Sequence, residues 1–197
     1  MSVELDVVEE AARARVLLDE GRLRLLEHLG EPDSAAGLAR RLGLPRQRVN
    51  YHLRELEAAG LIELVEQRRR GNATERRYRR SGEHYAISNA VLGPLGPDPE
   101  AIADRFSSAY QVALAARTVR ELGRLRAGAA AAGQALPTFA LDAEIRFATP
   151  AARASFAEAL AAAVADLVRR FHDEQAPAGR SYRLHLGAHP KPRDTAT

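Results

Sequence analysis

The chain has 197 residues, of which 46% are hydrophobic and 28% charged, a balance typical of folded domains that bury a core. It contains no cysteine, which excludes disulfide frameworks, thiolate metal sites and cysteine nucleophiles. The net charge is only +3, yet residues 46–80 hold ten arginines against five glutamates, so a polyanionic partner is expected to bind one region of the chain.

The N-terminal residues are predicted to form an amphipathic helix over 3–18. Apolar side chains recur there at helical spacing: Val3, Val7, Ala11, Ala14 and Leu18. The stretch lacks the basic start and the unbroken apolar run of a secretory signal, and the longest apolar run, 159–168, is far too short to cross a membrane. We therefore expect a cytoplasmic protein without a membrane partner.

Two shorter helices are predicted next. The first covers 19–29 and ends before Gly30. Ser34 is placed to cap the second, because its hydroxyl can accept hydrogen bonds from free backbone amides, and Gly43 ends it.

A longer helix is predicted from Pro45, whose missing N–H suits a first turn, to Gly60. Val49, Leu53 and Leu56 share one side and are expected to be buried. The opposite side is polar but does not alternate Glu and Lys, as a merely solvated helix would. Its residues are Gln47, Arg48, Asn50, Tyr51 and Arg54.

A β-hairpin is predicted after this helix. The string LIELVEQRRR alternates apolar and polar residues as a half-buried strand does, GNAT has turn-forming residues, and ERRYRR returns as a second strand with Tyr78 packed inward. The order is therefore helix, helix, turn, helix and a hairpin with an arginine-rich tip.

The string RVNYHLRELEAAGLIE resembles the recognition helix of ArsR-like transcriptional regulators, where a His-Leu pair, a spaced leucine and a terminal Ala-Gly-Leu recur; ERRYR resembles their closing wing strand. The resemblance covers residues 15–88 and implies a winged helix-turn-helix domain that binds double-stranded DNA. Metal-sensing members carry a cysteine-bearing box or His, Asp and Glu ligands on later helices. This chain has no cysteine, and its segment DSAAGLARRLGL contributes no ligand cluster, so we expect no metal and no cofactor.

The polar side of the long helix has the chemistry that reads DNA, because arginine pairs with guanine edges and asparagine or glutamine with adenine in the major groove. We expect Gln47, Arg48, Asn50, Tyr51 and Arg54 to contact bases, and Arg46 to contact a phosphate. The wing would grip the backbone or enter the minor groove through Arg68, Arg69, Arg70, Asn72, Arg76 and Arg77. His52, near the edge of the buried stripe, is interpreted as structural rather than as a base contact.

The predicted fold class is α+β, with the winged domain over 1–92 and a smaller C-terminal domain over 101–190. Residues 93–100, rich in proline and glycine, are the predicted linker, and 191–197 are expected to be a disordered tail.

Within the C-terminal domain a helix reaching about residue 132 is followed by strand, helix and strand. Residues 138–147 and 181–186 alternate as strands do, and Pro150 opens the helix between them. Because two strands make a poor sheet, a second copy can complete its edge.

Helices flanking the winged domain form the dimer in ArsR-like regulators, so the resemblance implies a homodimer, which would engage two operator half-sites together. A small-molecule effector pocket is a further prediction, lined by Phe106, Tyr110, Phe139 or Phe147. Plain core packing is the alternative interpretation of these aromatic residues.

We therefore predict a sequence-specific transcriptional repressor without catalytic residues. One alternative is a winged-helix module that binds an acidic partner. The other is a small enzyme in the second half, where His172, Asp173 and Glu174 adjoin one another. The enzyme is disfavoured because adjacent helical residues point in different directions and no HExxH, phosphate loop or Gly-x-Ser-x-Gly is present.

Overall fold

The computed structural model describes residues 3–70 and 73–192. Packing divides the described residues into two compact units, one made of residues 137–188 and the other of residues 3–70, 73–136 and 189–192. The packing boundary therefore follows residue 136, whereas the sequence predicted a linker at 93–100. Those residues instead fall largely in two 3₁₀ segments, Asn89–Leu95 and Pro99–Ala101, and Pro99 is fully buried.

The predicted N-terminal helix is wrong in its first half. Val3–Val8 is a strand, β1, and only Ala11–Leu17 is helical, α1. β1 pairs in parallel with β5, Gly82–Ile87, so that Val8 lies opposite Ile87. The valines of β1 favour extended backbone, and the partner that stabilises it is too far along the chain for local spacing to reveal.

Three helices form the helix-turn-helix region as predicted. Their bounds are Glu20–His28 for α2, Ala35–Leu42 for α3 and Arg46–Ala58 for α4. The Ser34 Oγ accepts a hydrogen bond from the amide of Gly37 at 3.3 Å and so caps α3. Gly43 ends α3 with a φ of 65°, a left-handed conformation that glycine adopts without steric cost, and the chain then turns into α4.

The predicted hairpin is present as β3, Ile62–Arg70, and β4, Ala73–Arg80. The two-residue strand β2, Asp33–Ser34, pairs with the other edge of β4, giving the sheet order β2-β4-β3. The register of the hairpin shifts by one residue between Leu64 and Glu66, so Val65 is an extra residue in β3.

A single leucine-rich core holds α1 to α4 against the base of the hairpin. Its fully or almost fully buried members include Leu25, Leu29, Leu38, Leu53, Leu56 and Leu61, and Tyr78 packs inward at its edge, as predicted. Burying each leucine contributes about 1.5–3 kcal/mol, so this core fixes the orientation of α4.

Helix α5, Ser108–Ala131, packs against β1 within the first unit. A Cβ built on Gly123 would lie 2.8 Å from the Cβ of Val7, so the glycine permits this close approach. Arg124 forms an ion pair with Glu9 at 3.0 Å across the same contact.

The second unit contains α6, Pro150–Phe171, which begins at Pro150 as predicted. The strands predicted at 138–147 and 181–186 do not form in the single chain, because neither segment is paired into a ladder. Alternation shows that a segment could serve as a strand, but a strand also needs a neighbour for its hydrogen bonds.

Within the described residues, no helix combines the length and apolar character that crossing a lipid bilayer requires.

Candidate nucleic-acid interface

The outward side of α4 is open to solvent. Gln47, Tyr51 and Arg54 are exposed, with Tyr51 at 55%. In the part of the chain that the structure describes, these three side chains form no hydrogen bond or ion pair. Arg46 and Arg48 are also exposed, and Asn50 is half-buried. The predicted orientation of the helix is confirmed, while contact with bases stays a prediction.

The inward side of α4 is anchored along its length. Val49, Leu53 and Leu56 are buried as predicted, none exposing more than 2% of its surface. The end of the helix is held by Arg13, whose Nε donates to the Ala59 carbonyl at 3.0 Å. The Arg13 guanidinium also donates to Asp6, and this hydrogen bond raises the pKa of Arg13. The exposed side of α4 is thus presented by a fixed element.

His52 is a buried part of this anchor, which agrees with its structural interpretation. It is 8% exposed, and within the described residues neither ring nitrogen has a hydrogen-bond partner. Its Nε2 is 3.4 Å from where a Cβ on Gly21 would lie, so the imidazole packs against the start of α2. Burial lowers the pKa of His52, because a charged imidazole would lose its hydration there.

Three of the predicted wing arginines are held by carboxylates of the chain itself. Glu66 accepts from Arg68 and, at 3.5 Å, from Arg77. Arg76 donates to Glu57 at 2.7 Å. These pairs partly neutralise the basic hairpin that the sequence predicted.

The remaining predicted wing residues are Arg69, Arg70 and Asn72. Arg69 is exposed and has no ion-pair or hydrogen-bond partner among the described residues. Arg70 is the last residue of β3. Asn72 lies outside the described residues.

Glu57 joins the recognition helix to the wing, a role that the sequence did not indicate. One carboxylate oxygen accepts from Arg76 of β4, and the other accepts from the Tyr78 hydroxyl at 3.2 Å. Burial, together with the negative charge of Glu57, raises the pKa of Tyr78. The only sequence signal was a carboxylate near the end of α4, and its partners depend on how the hairpin folds back.

Glu75 makes a second link that sequence reasoning missed. Its Oε1 accepts a hydrogen bond from the Ser34 hydroxyl at 2.7 Å, while the same Oγ caps α3. The wing strand β4 is therefore tied both to the helix that precedes the turn and to α4.

The four aromatic residues predicted for an effector pocket are divided between the two units. Phe106 and Tyr110 belong to the first, with Phe106 96% exposed, and Phe139 and Phe147 belong to the second. Phe147 packs against Phe156, with ring centroids 5.3 Å apart. The pocket therefore stays a prediction.

The histidines in the second half of the chain are exposed, including His172, which was considered for an enzyme. His172 lies 3.4 Å from Glu174, and His185 and His189 are also at the surface. Among the residues that the structure describes, no three His, Asp or Glu side chains come together in a way that could hold a metal ion.

A helix-turn-helix followed by a hairpin wing, with an open polar side on its last helix, is the architecture of a DNA-binding domain of the kind used by transcriptional regulators. Residues 17–65 match the family model described as "Helix-turn-helix domain". The winged helix-turn-helix resemblance predicted from the sequence is confirmed by this match and by the fold. No curated protein matches the chain.

Several solved structures are similar to parts of the chain. The transcriptional regulator HlyU from Vibrio vulnificus CMCP6 is 23% identical over 36% of this chain and 71% of its own, with a TM-score of 0.30. An ArsR-like transcriptional regulator from Rhodococcus sp. RHA1 is 27% identical over 63% of this chain and 85% of its own, with a TM-score of 0.32. The homodimeric winged helix-turn-helix domain Mb0332 from Mycobacterium bovis, a possible ArsR-family regulator, is 27% identical over 37% of this chain and 64% of its own, with a TM-score of 0.31.

Proposed function

We propose that this chain is a sequence-specific transcriptional regulator of the ArsR-like type that represses as a homodimer. The observation that carries this proposal is the outward side of α4. Gln47, Tyr51 and Arg54 are exposed and, within the described residues, have no hydrogen bond or ion pair, while the opposite side is locked into the core. A helix with this division can enter the major groove without rearrangement.

The proposed contacts fall into two kinds. The residues on α4 read base edges, and Arg46 at its start contacts a phosphate. The wing arginines bind the backbone beside the groove, and Arg69 is the member best placed for this because it is exposed and unpaired in the described part of the chain. Phosphate contacts position the domain, and base contacts select the operator.

Two copies would engage two half-sites one helical turn apart, which raises affinity for a palindromic operator without new contacts. An effector would change operator affinity only to the extent that it favours one dimer geometry over another. We assign no catalytic residue and no metal to the protein, and we expect it to be cytoplasmic.

The first experiment selects bound fragments from random double-stranded DNA with the full chain at two salt concentrations. A palindromic consensus is expected, together with a logarithm of affinity that falls by about 0.9 per phosphate contact for each tenfold rise in salt. Enrichment of no sequence would contradict the regulator and favour the module that binds an acidic partner.

Alanine variants then distinguish residues that contact bases from residues that contact the phosphate backbone. Gln47→Ala and Tyr51→Ala are expected to change the selected sequence, at a cost of about 1–3 kcal/mol on the original operator. Arg69→Ala is expected to weaken all sequences alike and to reduce the salt slope by about one. If the three variants shift binding in the same way, the proposed division of contacts is wrong.

A further inference from the structure

The second unit exposes almost all of its apolar side chains. None of residues 137–188 is buried, and α6 contains no buried residue along its 22 positions. The large apolar side chains concerned are Phe139, Leu141, Ile145, Phe156, Leu160, Leu167, Val168, Phe171, Tyr182, Leu184 and Leu186, each between 37% and 86% exposed.

The arrangement of these side chains follows the sequence pattern. Phe139, Leu141 and Ile145 occupy alternate positions of 138–147, and Tyr182, Leu184 and Leu186 do the same in 181–186. Each segment therefore has one apolar side, and neither is paired into a ladder in the single chain. Two segments with strand patterning and one apolar helix supply half of a two-layer α/β structure.

The exposed apolar area is large enough for an interface with a second copy of the chain. Together the eleven residues, backbone included, expose on the order of 1,000 Å² per chain, and a stable interface takes about 800 Å² from each partner. Monomers rarely leave an apolar surface of this size uncovered. A two-fold interface uses the same surface of both copies. Two copies of this apolar unit can therefore cover each other, and no different protein is needed.

We propose that the second unit is completed by the second unit of another copy of this chain. The segments 138–147 and 181–186 become strands of a sheet that the two copies share, with their apolar sides and α6 forming a common core. This inference deepens the proposed homodimer by assigning its interface, and it rests on that dimer but not on DNA binding.

Leu141 and Leu95 provide a matched test in the full chain. Leu141 in the second unit is 86% exposed and Leu95 in the first is 87% exposed, so arginine at either site leaves the fold of the single chain intact. Leu141→Arg is expected to raise the dimer dissociation constant by at least about 100-fold, because it would bury an unpaired charge at the shared core. Leu184→Arg should do the same, and Leu95→Arg should leave it unchanged.

The measurement is sedimentation equilibrium or light scattering across protein concentration, with circular dichroism melting as the check on folding. A wild-type chain that is monomeric at micromolar concentration would overturn the inference, as would a Leu141→Arg variant that remains dimeric. Dissociation by Leu95→Arg alone would place the interface in the first unit and also overturn it. Binding to a single half-site, measured in parallel, reports on the proposed function separately.

Discussion

We expect a DNA phosphate to compete with Glu66 for two arginines of the wing. It accepts from Arg68 and Arg77, both of which were predicted to grip the backbone. All three side chains are at least one-third exposed, so each pair is held weakly and can be exchanged for a phosphate contact. We therefore expect Glu66 to limit how much positive charge the wing can offer to DNA.

Replacing Glu66 by glutamine should strengthen DNA binding. With the negative charge gone, Arg68 and Arg77 lose their ion pairs to Glu66, although Arg77 keeps its hydrogen bond to the Pro32 carbonyl. We expect affinity to rise about 2–5-fold with a steeper salt dependence. Fluorescence anisotropy on the selected operator over a salt series measures both effects.

Glu63 supplies the control for that variant. It lies on the same strand and pairs with an arginine, Arg79, at 2.6 Å, a hydrogen bond that lowers the pKa of Glu63. Arg79 is not among the predicted DNA contacts, so Glu63→Gln should change the salt slope little. Equal effects of the two variants would show that general charge, rather than release of the wing arginines, controls affinity.

His52 should make stability depend on pH. Its folded-state pKa is lowered by burial, while the unfolded chain has a pKa of about 6.5. Between the two pKa values His52 is protonated more in the unfolded chain than in the folded one. The free energy of unfolding is therefore highest above about pH 6.5 and decreases as the pH falls from there towards the folded-state pKa. Urea unfolding between pH 8 and pH 5 should show this loss, and His52→Gln should reduce the slope. An unchanged slope in the variant would exclude His52 as its source.

At the scale of elements, α5 contains two glycines in different surroundings. A Cβ on Gly123 would lie 2.8 Å from Val7 of β1, whereas a Cβ on Gly128 would meet nothing within 4 Å. Gly123→Ala should therefore push α5 from β1 and destabilise the first unit by about 1–3 kcal/mol. Gly128→Ala should stabilise it by about 0.5–1 kcal/mol through helix propensity.

Urea unfolding followed by circular dichroism compares the two glycine variants. Opposite signs are expected from the same chemical change in one helix. If both variants are destabilised, the glycines act by making the backbone of α5 flexible and not by allowing its contact with β1.

The elements that the sequence predicted correctly are those whose signals are local. Ser34, Gly43, Pro45 and the apolar stripe of α4 act within a few residues of the structure they determine. β1 was missed because Val3–Val8 depends on pairing with Gly82–Ile87. A helical spacing of valines can occur by chance, and only the distant strand decides the conformation.

The wing shows the same limit at the site itself. Its arginines were predicted, but their pairing depends on the extra residue in β3. With a regular register Glu66 would lie opposite Arg76, whereas the shift after Leu64 places it opposite Arg77. Composition therefore predicted the basic hairpin, and the bulge determines which arginine Glu66 faces.

For the whole molecule, the sequence pattern predicted the order of the helices, the hairpin and α6. It did not predict where the chain divides into two units. The Pro- and Gly-rich residues 93–100 look like a linker, yet Pro99 is buried and the Glu100 carboxylate pairs with Arg117 of α5 at 3.2 Å. Turn-forming composition shows where the chain bends, but only packing shows where one compact unit ends.

The parallel pairing of β1 with β5 also orders the events of biosynthesis. Val8 is fully buried, and its carbonyl accepts from the amide of Ser88 at 2.9 Å. A nascent chain leaves the ribosome from its N-terminus, so residues 3–8 must wait until residue 88 has cleared the exit tunnel. The helices α2 to α4 can assemble earlier, pairing of β1 with β5 follows, and α5 can pack against β1 only after that.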